Sequence, residues 1–223
     1  MLTFVRHGEK LYDNGKGEPK LDPVLTDHFQ GLTCHPAYYS KSNLVIYSSP
    51  YKRCQQTALK FGDNISYDCR IAEFLGYQRD IDVSYYHVDI HDRIDDIKCL
   101  PPIKEKIENM RSRMLNFCIE KINDLRDDPD LHIIVVTHGY PIQTLFTALT
   151  DRHLTSKHSL RDGKKGFLGV VEGFTISLYA KHVIPTRFYS NFDRDWCDNY
   201  DNDSAVPLSE EILDSLKLCE CNA

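Results

Sequence analysis

Two arginines and two histidines sit where a short apolar run gives way to polar residues. Arg6-His7-Gly8-Glu9 follows Leu2–Val5, Arg53 follows Val45–Ser48 by a few residues, and His138-Gly139 follows Ile133–Val136. Paired guanidinium forks match the oxygens of a phosphoryl group better than point-charge lysines do. A neutral imidazole beside them is a nucleophile for phosphorus. A single histidine after a strand is commonly a packing residue, so the weight lies on the combination. The four side chains form no ready-made metal-ligand set, and the expectation is a metal-free anion site with no cofactor.

Such chemistry requires strands that deliver these residues to one rim. Leu2–Val5 and Ile133–Val136 read as short buried strands, the second apolar enough to be covered on both faces. Glycine after each histidine lets the backbone turn close to a ligand. Val45–Ser48 reads as a third strand, with Ser49 as N-cap, Pro50 at the first helical position and a helix to about Phe61. Arg53 then falls in the first helical turn. In open α/β sheets the carboxyl ends of the strands are where ligands bind.

Other elements complete the scaffold. Ser66–Ile71 reads as a short strand leading to Glu73. After Pro101-Pro102, the spacing of Ile103, Ile107, Met110, Met114, Phe117 and Leu125 predicts an amphipathic helix to about Arg126, its methionines in the core. Asp127-Asp128-Pro129-Asp130 ends it. Pro141–Leu149 predicts a helix, Leu168–Val171 and Phe174–Tyr179 predict strands, and Leu208–Leu218 predicts a last helix.

Together these motifs resemble the histidine phosphatase superfamily, the phosphoglycerate mutase-like family. The matching residues are Arg6-His7-Gly8-Glu9, Leu25-Thr26, Ser48-Ser49-Pro50 with Arg53, Gln56, Thr57 and Ala58, and Thr137-His138-Gly139. They occur in the family's order over most of residues 1–180. The resemblance implies an α/β fold: a three-layer α/β/α sandwich with a mostly parallel mixed central sheet and helices on both faces. It implies His7 as catalytic nucleophile, with Arg6, Arg53 and His138 binding phosphate. In the branch of mutases and small phosphatases the proton donor is a Glu soon after the strand read at Ser66–Ile71, here Glu73, with Asp80 and Asp82 as rival carboxylates. The acid of the other branch, an Asp directly after the second histidine, is absent, since Gly139 and Tyr140 follow His138. The chain departs from the family at Phe29, where a Gly is common, and at Leu32, where a small residue is. Asn14 stands one position from a phosphate-touching Asn of relatives.

At 223 residues the chain suits one domain with a substantial core. The expected division is a catalytic domain over 1–190, with an insertion at about 77–100 over the site, and an acidic tail over 191–223. A net charge of −6 argues against nonspecific nucleic-acid binding. No run is long enough to span a membrane. The 8 cysteines are scattered, which predicts reduced thiols and a cytoplasmic protein. Cys219-Glu220-Cys221 reads as free thiols rather than a metal knuckle. In an extended insertion His87, Asp89 and His91 would share a face, a metal arrangement without a further recognisable ligand. Tyr85 or Tyr86 would be available to the organic part of a substrate, and the basic loop over 153–167 to a second anionic group.

The resulting expectation is a metal-independent phosphatase that hydrolyses phosphate monoesters through a phosphohistidine on His7. Its partner is a phosphorylated small molecule or phosphoprotein, and oligomeric state is not legible. A phosphoglycerate mutase-like transferase and a non-catalytic interaction module are the alternatives.

Overall fold

The computed structural model describes residues 1–8, 43–74, 105–152, 172–178, 181–187 and 205–216. Within them a seven-stranded sheet runs in the order β3-β2-β4-β1-β5-β6-β7. The strands are β1 (Leu2–Arg6), β2 (Leu44–Ser48), β3 (Ile65–Tyr67), β4 (His132–Thr137), β5 (Glu172–Ser177), β6 (His182–Arg187) and β7 (Val206–Pro207). β1, β2, β3 and β4 pair in parallel, and β5, β6 and β7 extend the sheet antiparallel from β1. The fold is α/β with a mixed sheet, parallel in one half and antiparallel in the other.

Alternation along β4 explains the layers, because successive side chains of a strand face opposite ways. Ile133 and Val135 join Leu2 and Phe4 in a cluster with helices α2 (Ile107–Asp127) and α3 (Gly139–Thr150). Ile134 and Val136 join Val5 and Ile46 in a second cluster with Cys54 and Ala58 of helix α1 (Lys52–Ala58). Helices therefore pack on both faces, and every residue of β4 is buried. Gly173 of β5 lies opposite Val5, and a Cβ there would come within 1.7 Å of the Phe4 carbonyl oxygen. Only glycine admits the close approach of β5 to β1.

Several expected boundaries shift for local reasons. The N-cap of α1 is Tyr51 rather than Ser49, and no side chain caps it. Ser49 is unavailable because its hydroxyl is engaged by His138, as described below. β3 stops at Tyr67 because Asp68 accepts from the Arg70 amide at 2.8 Å and starts a 3₁₀ turn over Cys69–Ile71. Helix α2 begins at Ile107, whose side chain is exposed instead of joining the core, whereas Met110 and Met114 are fully buried as expected. Pro141 falls in the first turn of α3, where no intrahelical amide is needed.

Residues after 191, expected as an acidic tail, supply β7 and helix α4 (Glu210–Ser215), with Val206, Leu208, Ile212 and Leu216 in the larger core cluster. Arg126 fastens this segment by donating to the Leu216 carbonyl at 3.0 Å. Cys54 and Cys118 are free thiols, but Cys69 is disulfide-bonded, which corrects the expectation of reduced cysteines throughout. Disulfides persist chiefly in oxidising compartments, so cysteine usage no longer argues for the cytosol. No helix among the described residues is long and apolar enough to cross a membrane.

Candidate active site

Strand register brings the motif residues together. Arg6 is opposite Thr137 and Ser48 is opposite Val136, so β1, β2 and β4 end level with one another. The chain then leaves each strand under control. The His7 amide donates to the Thr137 carbonyl at 2.9 Å, and the Ser49 amide donates to the Val136 carbonyl at 2.9 Å. His7, Ser49 and His138 consequently sit side by side beyond the rim.

His7 is 3% exposed and His138 is fully buried, their ring centroids 5.3 Å apart. The Nδ1 of His7 donates to the Gly8 carbonyl at 2.7 Å. A carbonyl only accepts, so this bond fixes the tautomer: Nδ1 carries the proton and Nε2 of the neutral ring keeps its lone pair. Burial, followed by the charges of Arg53, His138 and Arg6, holds the His7 pKa well below its ordinary value. The ring is therefore neutral at pH 7.

Arg53 enters from the first turn of α1, and its guanidinium stacks over the Tyr51 ring at 4.7 Å. Its Nη2 lies 3.1 Å from His138 Nδ1 and 3.3 Å from Glu73 Oε2. The same carboxylate oxygen is 3.3 Å from His138 Nδ1. Glu73 is positioned by its own backbone neighbour, since the Phe74 amide donates to Oε1 at 3.1 Å. Burial opposes ionisation of Glu73, but His138, Arg53 and the Phe74 amide outweigh it and bring the pKa down to about 2. Burial lowers His138 to about 4, with Arg53 adding to the effect against the attraction of Glu73.

The far side of His138 is equally defined. Nε2 is 2.8 Å from the Ser49 hydroxyl and 3.4 Å from Cys54 Sγ. Thr57 accepts from the Gly8 amide at 2.9 Å and donates to the Arg53 carbonyl at 2.7 Å, tying the exit of β1 to the helix that carries Arg53. Thr57 stood among the quoted motif residues without a role and Ser49 only as an expected N-cap, and these contacts give each a place in the site. Arg6 lies against Gly139, where an added Cβ would stand 3.4 Å from its Nε. Helix α3 starts at this point with His138 as its N-cap, so its amide end adds positive potential.

The structure thus brings together all five expected residues: His7, Glu73, Arg6, Arg53 and His138. With Glu73 beside the two histidines, His7, Glu73 and His138 offer atoms within 4.8 Å of one another. Arg53 places a fixed positive charge against two of the three, which favours an anion over a cation. Glu9, Asn14, Leu25-Thr26, Phe29, Leu32, Asp80, Asp82, the 77–100 insertion with Tyr85, Tyr86, His87, Asp89 and His91, the 153–167 loop, Leu168–Val171 and Cys219-Glu220-Cys221 lie outside the described residues.

The family model for the histidine phosphatase superfamily, branch 1, matches residues 2–165. The chain belongs to that superfamily. Its fold is similar to a structure described as mycobacterial hydrolase 2, at 20% identity and a TM-score of 0.52, covering 100% of this chain and 98% of the other. It is also similar to a mycobacterial glucosyl-3-phosphoglycerate phosphatase with inorganic phosphate, at 20% identity and a TM-score of 0.50, covering 85% and 96%. No curated protein matches the chain in sequence.

Proposed function

We propose that this protein is a phosphatase of the small-phosphatase branch, hydrolysing phosphate monoesters through a phosphohistidine on His7. The observation that carries the reading is the locked tautomer of His7: its Nδ1–H is held by Gly8 while Nε2 keeps its lone pair, in a buried ring that feels the charges of Arg53, His138 and Arg6. Nε2 attacks phosphorus in line, a P–N bond forms, and the ester P–O bond breaks with its electron pair leaving on oxygen. Glu73 protonates that oxygen. Water then attacks the phosphohistidine as Glu73 takes its proton, and the P–N bond breaks to restore neutral His7. Arg6, Arg53 and His138 stabilise the equatorial oxygens electrostatically.

Glu73 is anionic in the free site, so it acquires its proton on substrate binding. A phosphoryl group that engages Arg53 and His138 withdraws the partners that keep the pKa of Glu73 low and adds negative charge beside it. The substrate class is a phosphorylated small molecule or phosphoprotein, with residues 1–190 as the catalytic portion.

The test is hydrolysis of p-nitrophenyl phosphate in the presence of a chelator by the wild type and His7→Ala. Turnover that survives chelation and disappears in the variant is expected. Equal turnover in both would remove His7 as nucleophile. Appearance of a new phosphate ester on an added alcohol, without free phosphate, would identify a transferase instead.

A further inference from the structure

We infer that Arg113 is a positioning residue for Glu73, fixing from helix α2 the backbone that presents the carboxylate to the site. The inference rests on the reading of Glu73 as proton donor.

Arg113 precedes Met114 at the border of the buried face of α2. Its guanidinium is used on every edge. Nε and Nη2 take the two carboxylate oxygens of Glu105 at 2.8 and 2.9 Å, a bidentate pair, and Nη1 donates to the Arg70 carbonyl at 2.5 Å. The pair is largely removed from solvent, with side-chain exposures of 13% and 3%. One side chain thus joins the approach to α2 with the turn that runs into Glu73.

The same turn is held at further points. Glu120, two helical turns beyond Arg113 on α2, accepts from Arg70 Nη1 at 2.6 Å, while Asp68 accepts from Arg70 Nη2 at 2.7 Å. The Thr137 hydroxyl donates to the next carbonyl, that of Ile71, at 2.5 Å. Carbonyls 70 and 71 are therefore anchored to α2 and to β4, and β4 also delivers His138. Glu73 follows two residues later. A proton donor must reach the leaving oxygen within hydrogen-bond distance, and a displacement of about 1 Å can cost about a hundredfold in rate. Arg113 sets that distance without taking part in the chemistry.

Arg113→Met alone strands the Glu105 carboxylate, so the double variant Arg113→Met/Glu105→Met is made beside it. Replacing both ends of a buried ion pair with apolar groups is commonly tolerated. Each is assayed on an alkyl phosphate and on p-nitrophenyl phosphate, whose leaving group needs little protonation, and vanadate inhibition is measured in parallel. The expected result is a loss of about tenfold or more in kcat on the alkyl ester, a change of about threefold or less on the aryl ester, and an unchanged vanadate Ki. Equal losses on the two esters, or wild-type turnover of the alkyl ester, would overturn the inference. Glu73→Gln separates the two claims. If it discriminates between the esters and the double variant does not, positioning by Arg113 fails alone; if Glu73→Gln treats the esters alike, the acid assignment itself fails.

Discussion

Arg53 Nη2 stands 3.3 Å from Glu73 Oε2, so the guanidinium proposed to grip a phosphoryl oxygen is held in the free site by the carboxylate proposed to protonate the leaving group. An incoming phosphoryl group must displace that contact. Glu73→Gln keeps the shape and removes the charge. Inhibition by vanadate should then strengthen, by about three- to tenfold, while kcat on an alkyl phosphate falls by about a hundredfold or more. Weaker inhibition in the variant would mean that Glu73 does not compete with the anion for Arg53.

Arg53→Lys tests the fork itself. A lysine is a mobile point charge that cannot reproduce two directed N–H groups or the stack on Tyr51 at 4.7 Å. A loss of about tenfold or more in kcat/KM is expected, with weaker vanadate inhibition. An unchanged vanadate Ki would place Arg53 outside the anion site.

Ser49 is buried, and its hydroxyl is 2.8 Å from His138 Nε2. Ser49→Ala leaves a buried ring nitrogen short of a partner, a cost of about 1–3 kcal/mol, and lets the ring turn. Denaturant unfolding should register that loss, and kcat should fall more than KM rises. The ring ¹⁵N resonances of His138 should also change. Retention of wild-type resonances would show that another contact sets the ring.

His7 and His138 both have lowered pKa values, burial being the largest cause for each, with His138 at about 4. The unfolded chain binds protons at these histidines below about pH 6.5, whereas the folded chain does not until lower pH. Stability is therefore intact above that value and declines as pH falls towards 4, by up to about 1.4 kcal/mol per pH unit per histidine. Glu73, lowered to about 2, adds a separate loss below the ordinary carboxylate range. Thermal melts from pH 7.5 to 4.5 should slope downward, and His138→Gln should flatten the slope. Parallel curves for the two proteins would contradict the assignment.

Gly173→Ala places a methyl group within 1.7 Å of the Phe4 carbonyl oxygen, a backbone atom that cannot swing away. A destabilisation of about 3 kcal/mol or more is expected from denaturant unfolding, since β1 and β5 must separate to admit it. A cost below about 1 kcal/mol would mean that the pairing of these strands adjusts freely.

The parallel half of the sheet was legible because β1, β2 and β4 are short apolar runs, each ending in chemically distinctive residues. β6 was not anticipated: Pro185 interrupts its pattern, and its pairing with β5 is set by distant residues. Ser49 was misread for a related reason. Serine before Pro50 is a good local N-cap, but the competing acceptor or donor is His138, remote in sequence. The position of Glu73 followed from family resemblance, whereas the supports of its backbone came from Arg113 and Thr137, whose hydrogen-bonding partners no local pattern specifies. The core role of Val206, Leu208 and Ile212 was likewise obscured by the polar residues around them.

The backbone bonds from His7 and Ser49 onto β4 have a consequence for how the protein fails. β4 is flanked on both sides by strands, and its residues are all buried. Amide hydrogens at His7 and Ser49 should exchange with deuterium only through opening of the central sheet, on the slowest timescale of the molecule. Catalytic geometry and global cohesion would then be lost in a single event, so that heating should abolish turnover at the same temperature at which the sheet itself melts.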